Sequence, residues 1–465
     1  MIPMTVKDLL EATGGRLAGP AADLNTSFTG VKTDNRVCEK GDLFIAIVGE
    51  TNDGHRFIPG ALEKGAAGCL ISREPDRYEE DRFYVLVRDT TLALGDLARY
   101  YRARFRIPVV GVTGSVGKTT TKDMIAAVLS ARFRVLKTAG NLNNNFGVPR
   151  MLLQLEKEHE IAVIEMGMNH LGEIDYLTGI ARPDVAVITN VGDAHIGNLG
   201  SKENILKAKS EIFHGLSREG IAVLNGDDPL LRTLEGKIPF PIRWIGQGEG
   251  CDFRAVDIDD SHPEKLTLTA ETPEGSFFLQ VPQPGRHMLY SVMTAAAVGR
   301  YFGMTDEEIA AGVASYVPTA MRLDIRKLEG NIVLYNGAYN ANSDSMISAL
   351  QTMSAARTGR KIAVLGDMLE QGAFEEELHR KVGRAAASLP IDTLVTVGKA
   401  AGAYLADEAE KGGLADIHTC RDLEEAETVL KDLWREDTAL LFKASHSMHL
   451  EKLYDFCLEL GSASR

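Results

Sequence analysis

The chain has 465 residues, 44% of them apolar and 25% charged, which is ordinary globular usage and excludes a largely disordered or collagen-like polymer. At roughly 100–200 residues per domain, this length predicts two to four domains. The net charge of −14 argues against a general nucleic-acid binder, which needs a basic face, but leaves room for phosphate ligands held by local basic groups.

From the N-terminus, Asp8 and Glu11 stand where a signal peptide needs an unbroken apolar core. No apolar run approaches the roughly 20 residues of a membrane span. Cys38, Cys69, Cys251, Cys420 and Cys457 are odd in number and form no C-x-x-C, so they read as scattered reduced thiols. The expectation is a soluble cytoplasmic protein with no nucleic-acid partner and no membrane span. Residues 1–104 mix short strand-like runs (Leu43 to Ile47) with short helical ones (Phe57 to Lys64), and the basic segment Tyr100 to Arg106 reads as a junction.

Between 105 and 317 apolar β-branched runs alternate with helical stretches. Pro108–Val112, Ile161–Met166, Val185–Asn190 and Ala222–Asn225 suit a parallel sheet covered on both faces. Around 252–281 strict alternation takes over, which predicts antiparallel strands. A second boundary falls at Val317-Pro318-Thr319. Residues 318–465 then repeat the pattern at Ile332–Tyr335, Lys361–Leu365, Thr393–Val397 and Ala439–Phe442. The predicted fold is α/β with three domains: a small one, a central parallel-sheet domain and a C-terminal Rossmann-like one.

The sharpest local signal is Gly111-Val-Thr-Gly114-Ser115-Val116-Gly117-Lys118-Thr119-Thr120. A strand precedes it, and a helix follows with Met124/Val128 and Ile125/Leu129 on one apolar face. Glycines let backbone N–H groups approach phosphate oxygens, and the helix N-terminus adds positive potential. The strict G-x-x-x-x-G-K-[ST] template needs glycine where Val112 stands, so this is a G-x-x-G-K-T-T variant. Lys118 is expected on the β/γ phosphates and Thr119 on Mg2+.

Glu165 and His195 follow successive strands, at the ligand-facing edge of such a sheet. Each alone reads more readily as a strand-end surface acid or a loop histidine; together beside a phosphate loop, metal ligation is the better reading. Lys209 falls on the apolar stripe Ile205, Ala208, Ile212 and Leu216 of a helix expected over 203–215. It is either a snorkelling lysine or a desolvated amine with a lowered pKa, able to take up CO2 as a metal-binding carbamate.

In order, these motifs resemble the ATP-dependent Mur ligases of peptidoglycan synthesis over nearly the whole chain. The carrying residues are Thr33-Asp34-Asn35-Arg36, Lys40 to Phe44, Asp53-Gly54-His55, TGSVGKTT, Gly140 to Asn144, VIEMGMNHLGEI, TNVGDAHIGNLGS and Ala208 to Phe213. Met321-Arg322-Leu323, Ala338-Tyr339-Asn340-Ala341-Asn342, Gly366 to Glu370 and Glu377-Leu378-His379 complete the series. VIEMGMNHLGE and AYNAN point to the branch that joins D-alanyl-D-alanine to UDP-N-acetylmuramoyl-tripeptide. The resemblance implies a UDP-muramoyl domain at 1–104 with Thr33, Asp34, Asn35 and Arg36 at the substrate. It implies an ATP-binding domain at 105–317, in which Gly114, Ser115, Val116, Gly117, Lys118, Thr119 and Thr120 hold ATP. A dipeptide-binding domain at 318–465 would close on ATP, with Arg322 reaching the nucleotide. Two Mg2+ ions are implied, on Thr119 and Glu165 and on Glu165, His195 and a carbamylated Lys209. Asn141, Asn144, Tyr339, Asn340 and Asn342 are implied substrate contacts, and the protein is expected to be a monomer. The implied reaction makes an acyl phosphate on the tripeptide carboxylate, which the dipeptide amine attacks.

Three positions depart from the family pattern. G-R-H-N reads Gly285-Arg286-His287-Met288, D-[AS]-Y-N-A-N-P begins with Gly337, and K-G-S-R reads Lys443-Ala444-Ser445-His446. Losing a charged hydrogen bond to a ribose costs about 1.5–3 kcal/mol, or roughly 10- to 150-fold in binding. The triphosphate side is intact and the nucleoside side stripped. This leaves a second reading open, a non-catalytic relative that binds the UDP precursor, and a third, an amide ligase with another acceptor.

Overall fold

The computed structural model describes residues 1–19, 23–49, 52–262, 264–319 and 323–463. Its largest sheet has nine strands, in the order Gly275–Val281, Leu266–Thr272, Phe253–Asp259, Ile242–Gly246, Ile221–Asn225, Val185–Ile188, Val109–Thr113, Ile161–Glu165 and Val135–Lys137. From Phe253–Asp259 onward neighbours are parallel, and the first two strands form antiparallel pairs. The uninterrupted apolar runs are the fully buried parallel strands, as continuous hydrophobicity requires when both faces are covered. The alternation around 252–281 gives antiparallel pairing as expected. Phe253–Asp259 differs in pairing on its other side in parallel with Ile242–Gly246.

After Val109–Thr113 the chain fills one side of the sheet with Val135–Lys137 and Ile161–Glu165, then crosses to Val185–Ile188 on the other. That reversal opens a crevice at the carboxyl end of Val109–Thr113, where open α/β sheets bind ligands. Helix Lys118–Ser130 starts there and buries Met124, Ile125, Val128 and Leu129 against helix Met288–Tyr301.

A six-stranded sheet follows, in the order Asp324–Leu328, Ile332–Asn336, Thr438–Lys443, Arg360–Gly366, Thr393–Val397 and Asp416–Cys420, with only the first strand antiparallel. A five-stranded sheet lies near the N-terminus: Arg16–Ala18, Phe83–Leu86, Gly68–Ile71, Asp42–Ile45 and Gly30–Lys32. The basic junction is tied down by Arg102, whose buried guanidinium donates to the carbonyls of Ala181, Phe105 and Ile107. At the second junction Thr319 Oγ1 donates to Asp123 Oδ2 at 2.5 Å. The helix expected over 203–215 is α-helical over Lys202–Ser210 and tightens to a 3-10 turn over Glu211–Gly215. There Glu211 turns its carboxylate to accept the N–H groups of Gly172 and Asp175 at the start of the earlier helix Glu173–Ala181.

Candidate active site

At Gly114, φ is +150° and a β-carbon would stand 1.8 Å from Thr189 Oγ1, so only glycine fits. Gly117, at φ +81°, leads into helix Lys118–Ser130. The neighbouring strand end holds this loop from outside. Ser115 N donates to Asn190 O (3.0 Å) and Val116 N to Asn190 Oδ1 (2.9 Å). Thr189 Oγ1 and Asn190 Nδ2 both donate to Val116 O, at 2.7 and 2.9 Å. Lys118 Nζ folds over its own loop to Gly114 O at 2.8 Å. Thr119 is buried beside it.

Glu165 ends its strand with 1% of its surface exposed. Its N–H donates to Thr138 Oγ1 (2.9 Å), and its Oε1 accepts from Asn143 Nδ2 (2.8 Å). Oε2 is buried without a hydrogen-bond partner. A buried carboxylate with an unspent oxygen, on a residue that lines a polar cavity, is a place for a cation. Asn143 was missed by sequence reasoning: it is one of three consecutive asparagines, and nothing local marks which one reaches the strand end.

His195 stands at φ +65°, starting the short helix Ile196–Leu199. Burial, then the cations of Lys118, Lys209 and His170, push its imidazole down to about 3. Lys209 is 1% exposed, so it does not snorkel to water. Burial, then Lys118, hold its amine well below the ordinary lysine range. At neutral pH the imidazole is therefore a lone-pair donor, and the downward shift of Lys209 favours its neutral, nucleophilic form. No group of three or more His, Cys, Asp or Glu suited to a metal forms among the described residues. Thr119 lines the same cavity as Glu165 and His195, whereas Lys209 is not among its lining residues and acts on His195 electrostatically.

A cavity of about 390 Å³ unites residues of the central and C-terminal sheets. Ser115 to Thr120, Asn141, Asn143, Asn144, Glu165 and His195 line it from one side. Tyr339, Asn340 and Asn342 line it from the other, with Gly337 and Lys443. Asn144 Oδ1 already accepts from Gly147 N at 2.9 Å, and Asn342 Oδ1 from Ser345 N at 2.9 Å, both at helix starts. Tyr339 stacks on His446, ring centroids 5.6 Å apart. Lys443, which the sequence marked only as the first residue of the K-G-S-R motif, donates its Nζ to Asn340 O (2.8 Å) and Gly337 O (3.2 Å). Met288 does not line the cavity; it is buried in the apolar cluster around helix Met288–Tyr301. Its neighbour His287 does line it, pushed down to about 4 by burial.

Other expected residues stand elsewhere. Thr33 to Arg36 lie in the first sheet's loops, away from this cavity. Arg36 Nη2 pairs with Asp34 at 2.7 Å and holds that carboxyl down at about 2. Arg322 lies outside the described residues.

A phosphate loop at a sheet switch point, faced across one cavity by a second parallel-sheet domain, defines a nucleotide-using α/β protein whose site two domains share. Comparison with known proteins narrows this. The family described as Mur ligase family, catalytic domain, matches residues 27–102; Mur ligase middle domain matches 112–299; Mur ligase, glutamate ligase domain, matches 321–446. A UDP-N-acetylmuramoyl-tripeptide--D-alanyl-D-alanine ligase of Bacillus subtilis is 40% identical over 464 residues, 99% of each chain. The Escherichia coli ligase of the same name is 40% identical over 402 residues, covering 86% of this chain and 87% of its own. A crystal structure of MurF from Acinetobacter baumannii superposes with TM-score 0.89 at 33% identity, over 98% of this chain and 99% of that one. MurF ligase from Thermotoga maritima in complex with ADP gives 0.82 at 29% identity, over 96% and 100%. The chain belongs to the Mur ligase family.

Proposed function

We propose that the protein joins D-alanyl-D-alanine to UDP-N-acetylmuramoyl-tripeptide at the expense of ATP, making an amide for peptidoglycan precursor synthesis. The observation that carries this reading at the site is Glu165: a buried carboxylate with one oxygen unspent, in the same cavity as the phosphate loop. The 99% coverage of the Bacillus subtilis ligase supports the same reading for the whole chain.

Phosphoryl transfer to a carboxylate brings two anions together, so the site must screen charge. Lys118 and the N–H groups of Gly117 to Thr120 hold the β/γ phosphates, while those of Ser115 and Val116 are spent on Asn190 and fix the loop. Lys118 leaves the carbonyl of Gly114 to do so. Thr119, Glu165, His195 and a carbamylated Lys209 are the residues that would hold Mg2+. When bound, Mg2+ supplies charge neutralisation between phosphate and acceptor carboxylate. Asn143 holds the Glu165 carboxylate through Oε1 and leaves Oε2 unspent. The tripeptide carboxylate takes the γ-phosphoryl group as ADP leaves. The dipeptide amine then attacks the acyl carbon, and phosphate departs from the tetrahedral intermediate. Tyr339, Asn340, Asn342 and Lys443 close the cavity from the third domain and exclude water from the acyl phosphate.

The division of labour follows the chain: 1–104 takes the UDP-muramoyl end with Thr33 to Arg36, 105–317 takes ATP, and 318–465 takes the dipeptide, with Arg322 at the nucleotide. Among the described residues no helix is long and apolar enough to cross a membrane. A cytoplasmic monomer completes the reading. The test is mass analysis of the UDP product with ATP, Mg2+, UDP-tripeptide and dipeptide, each omitted in turn. A product heavier by one dipeptide residue pair, only in the complete mixture, is expected. Precursor binding without that product supports the second reading, a non-catalytic relative, which Gly337 favours by supplying no side chain to the ribose.

A further inference from the structure

We infer that Asp193 is a positioning residue that latches the third domain onto the phosphate loop, so that docking of that domain and placement of His195 are one event. Asp193 lies in the segment between Val185–Ile188 and Ile196–Leu199 and is 3% exposed. Its Oδ2 accepts from Ser343 Oγ (2.7 Å) and Lys381 Nζ (2.7 Å), both third-domain groups. Its Oδ1 faces Lys202 Nζ at 3.0 Å, and its N–H donates to Asp344 Oδ2 at 3.0 Å. Lys381 also donates to Asp344 Oδ1 at 2.7 Å and so joins both carboxylates.

The segment is tied on both sides. Gly192 N donates to Ser115 Oγ of the phosphate loop at 2.9 Å. A β-carbon at Gly192 would stand 2.2 Å from Asp344 Oδ2, so any side chain there would displace the carboxylate that receives the Asp193 N–H. Past His195, a β-carbon at Gly197 would stand 2.4 Å from Glu370 O, another third-domain contact without room for a side chain. His195 is thus flanked by two docked points, two residues away on either side. Undocked, Asp193 keeps Lys202 but loses the Lys381 cation and the Ser343 hydroxyl from Oδ2, so the segment favours the docked arrangement. Swinging the third domain away removes Lys381 and Ser343 from Asp193 and frees the stretch that carries His195. Two discrete arrangements sharing one element are what coupling between sites requires.

The kinetic half of this inference rests on the ligase reading; the conformational half does not. The experiment compares full-length wild type, Lys381→Met, Lys381→Arg and Ser343→Ala. Small-angle scattering is recorded with Mg2+ and a non-hydrolysable ATP analogue, and ADP release with all substrates. The expected result is a larger radius of gyration for Lys381→Met than for wild type, with kcat lower by about tenfold. Lys381→Arg, which keeps the cation, stays near wild type in both. Ser343→Ala, which keeps every charge and is the variant to read if Lys381→Met does not fold, moves the same way by less. Wild-type scattering for Lys381→Met, or an arginine variant as open as the methionine one, overturns the latch. A lowered melting temperature with unchanged scattering overturns it too. If wild type makes no product, the ligase reading fails while the scattering still decides the latch.

Discussion

The Lys443 amine lies 3.6 Å from the point where a β-carbon at Gly337 would stand. Gly337 has no left-handed backbone that would demand glycine, and its other nearest atoms are at ordinary contact distance. The position is therefore open to the aspartate that the family pattern carries. Gly337→Asp would set a carboxylate beside a buried cation and offer an acceptor to a ribose hydroxyl. The expected outcome is a KM for ATP lower by about tenfold with kcat little changed, since a ground-state contact is added. Steady-state kinetics with varied ATP checks it; an unchanged or higher KM contradicts it.

Glu165→Gln keeps the oxygen that accepts from Asn143 and removes the buried charge. Without a bound cation the unpaired oxygen is a liability, so the melting temperature of the ligand-free variant should equal or exceed that of wild type. Activity should fall by about a hundredfold or more, as expected for loss of a charge-stabilising group. A destabilised variant with full activity would assign Glu165 to the fold alone.

Lys209 bears on a covalent question. Burial, then Lys118, lower the pKa of its amine and so favour the neutral form. A neutral amine adds CO2 and releases a proton to give a carbamate. Activity in CO2-stripped buffer should fall and return with bicarbonate, and crystals grown with bicarbonate should show extra density on Nζ. Indifference to bicarbonate at every concentration would leave Lys209 an unmodified buried amine.

Acid stability follows from two histidines. His195 and His287 are pushed down to about 3 and about 4 by burial, against about 6.5 in an unfolded chain. The unfolded state therefore binds more protons below pH 6.5, and stability falls as pH falls from there toward 4. At pH 5 each group costs about 2 kcal/mol. His287→Gln should flatten the decline of melting temperature between pH 6.5 and 5 by roughly half of the two-histidine effect. An identical slope in the variant contradicts this.

Much of the site was legible because its signals are local. Glycine spacing marks the phosphate loop, strand ends mark Glu165 and His195, and helical periodicity puts Lys209 inside, where it is found. The buried parallel strands of the nine- and six-stranded sheets were legible for the same reason, since continuous apolar runs mark them, whereas in the five-stranded sheet only the run at Leu43 to Ile47 stood out. What was not legible depends on distant partners. Asn143 reaches Glu165 across 22 positions, and Lys381 reaches Asp193 across 188. No pattern along one element reports such a contact. Met288 shows the converse, a motif position that folding spends on the core.

The most direct test is ADP release in the presence of UDP-N-acetylmuramoyl-tripeptide, D-alanyl-D-alanine and saturating Mg2+, with ATP titrated. The account predicts turnover that needs both substrates and yields one ADP per amide formed, with an elevated KM for ATP that Gly337→Asp lowers. No turnover at several millimolar ATP, with the UDP-tripeptide still bound in a parallel binding measurement, would contradict it and leave a precursor-binding protein.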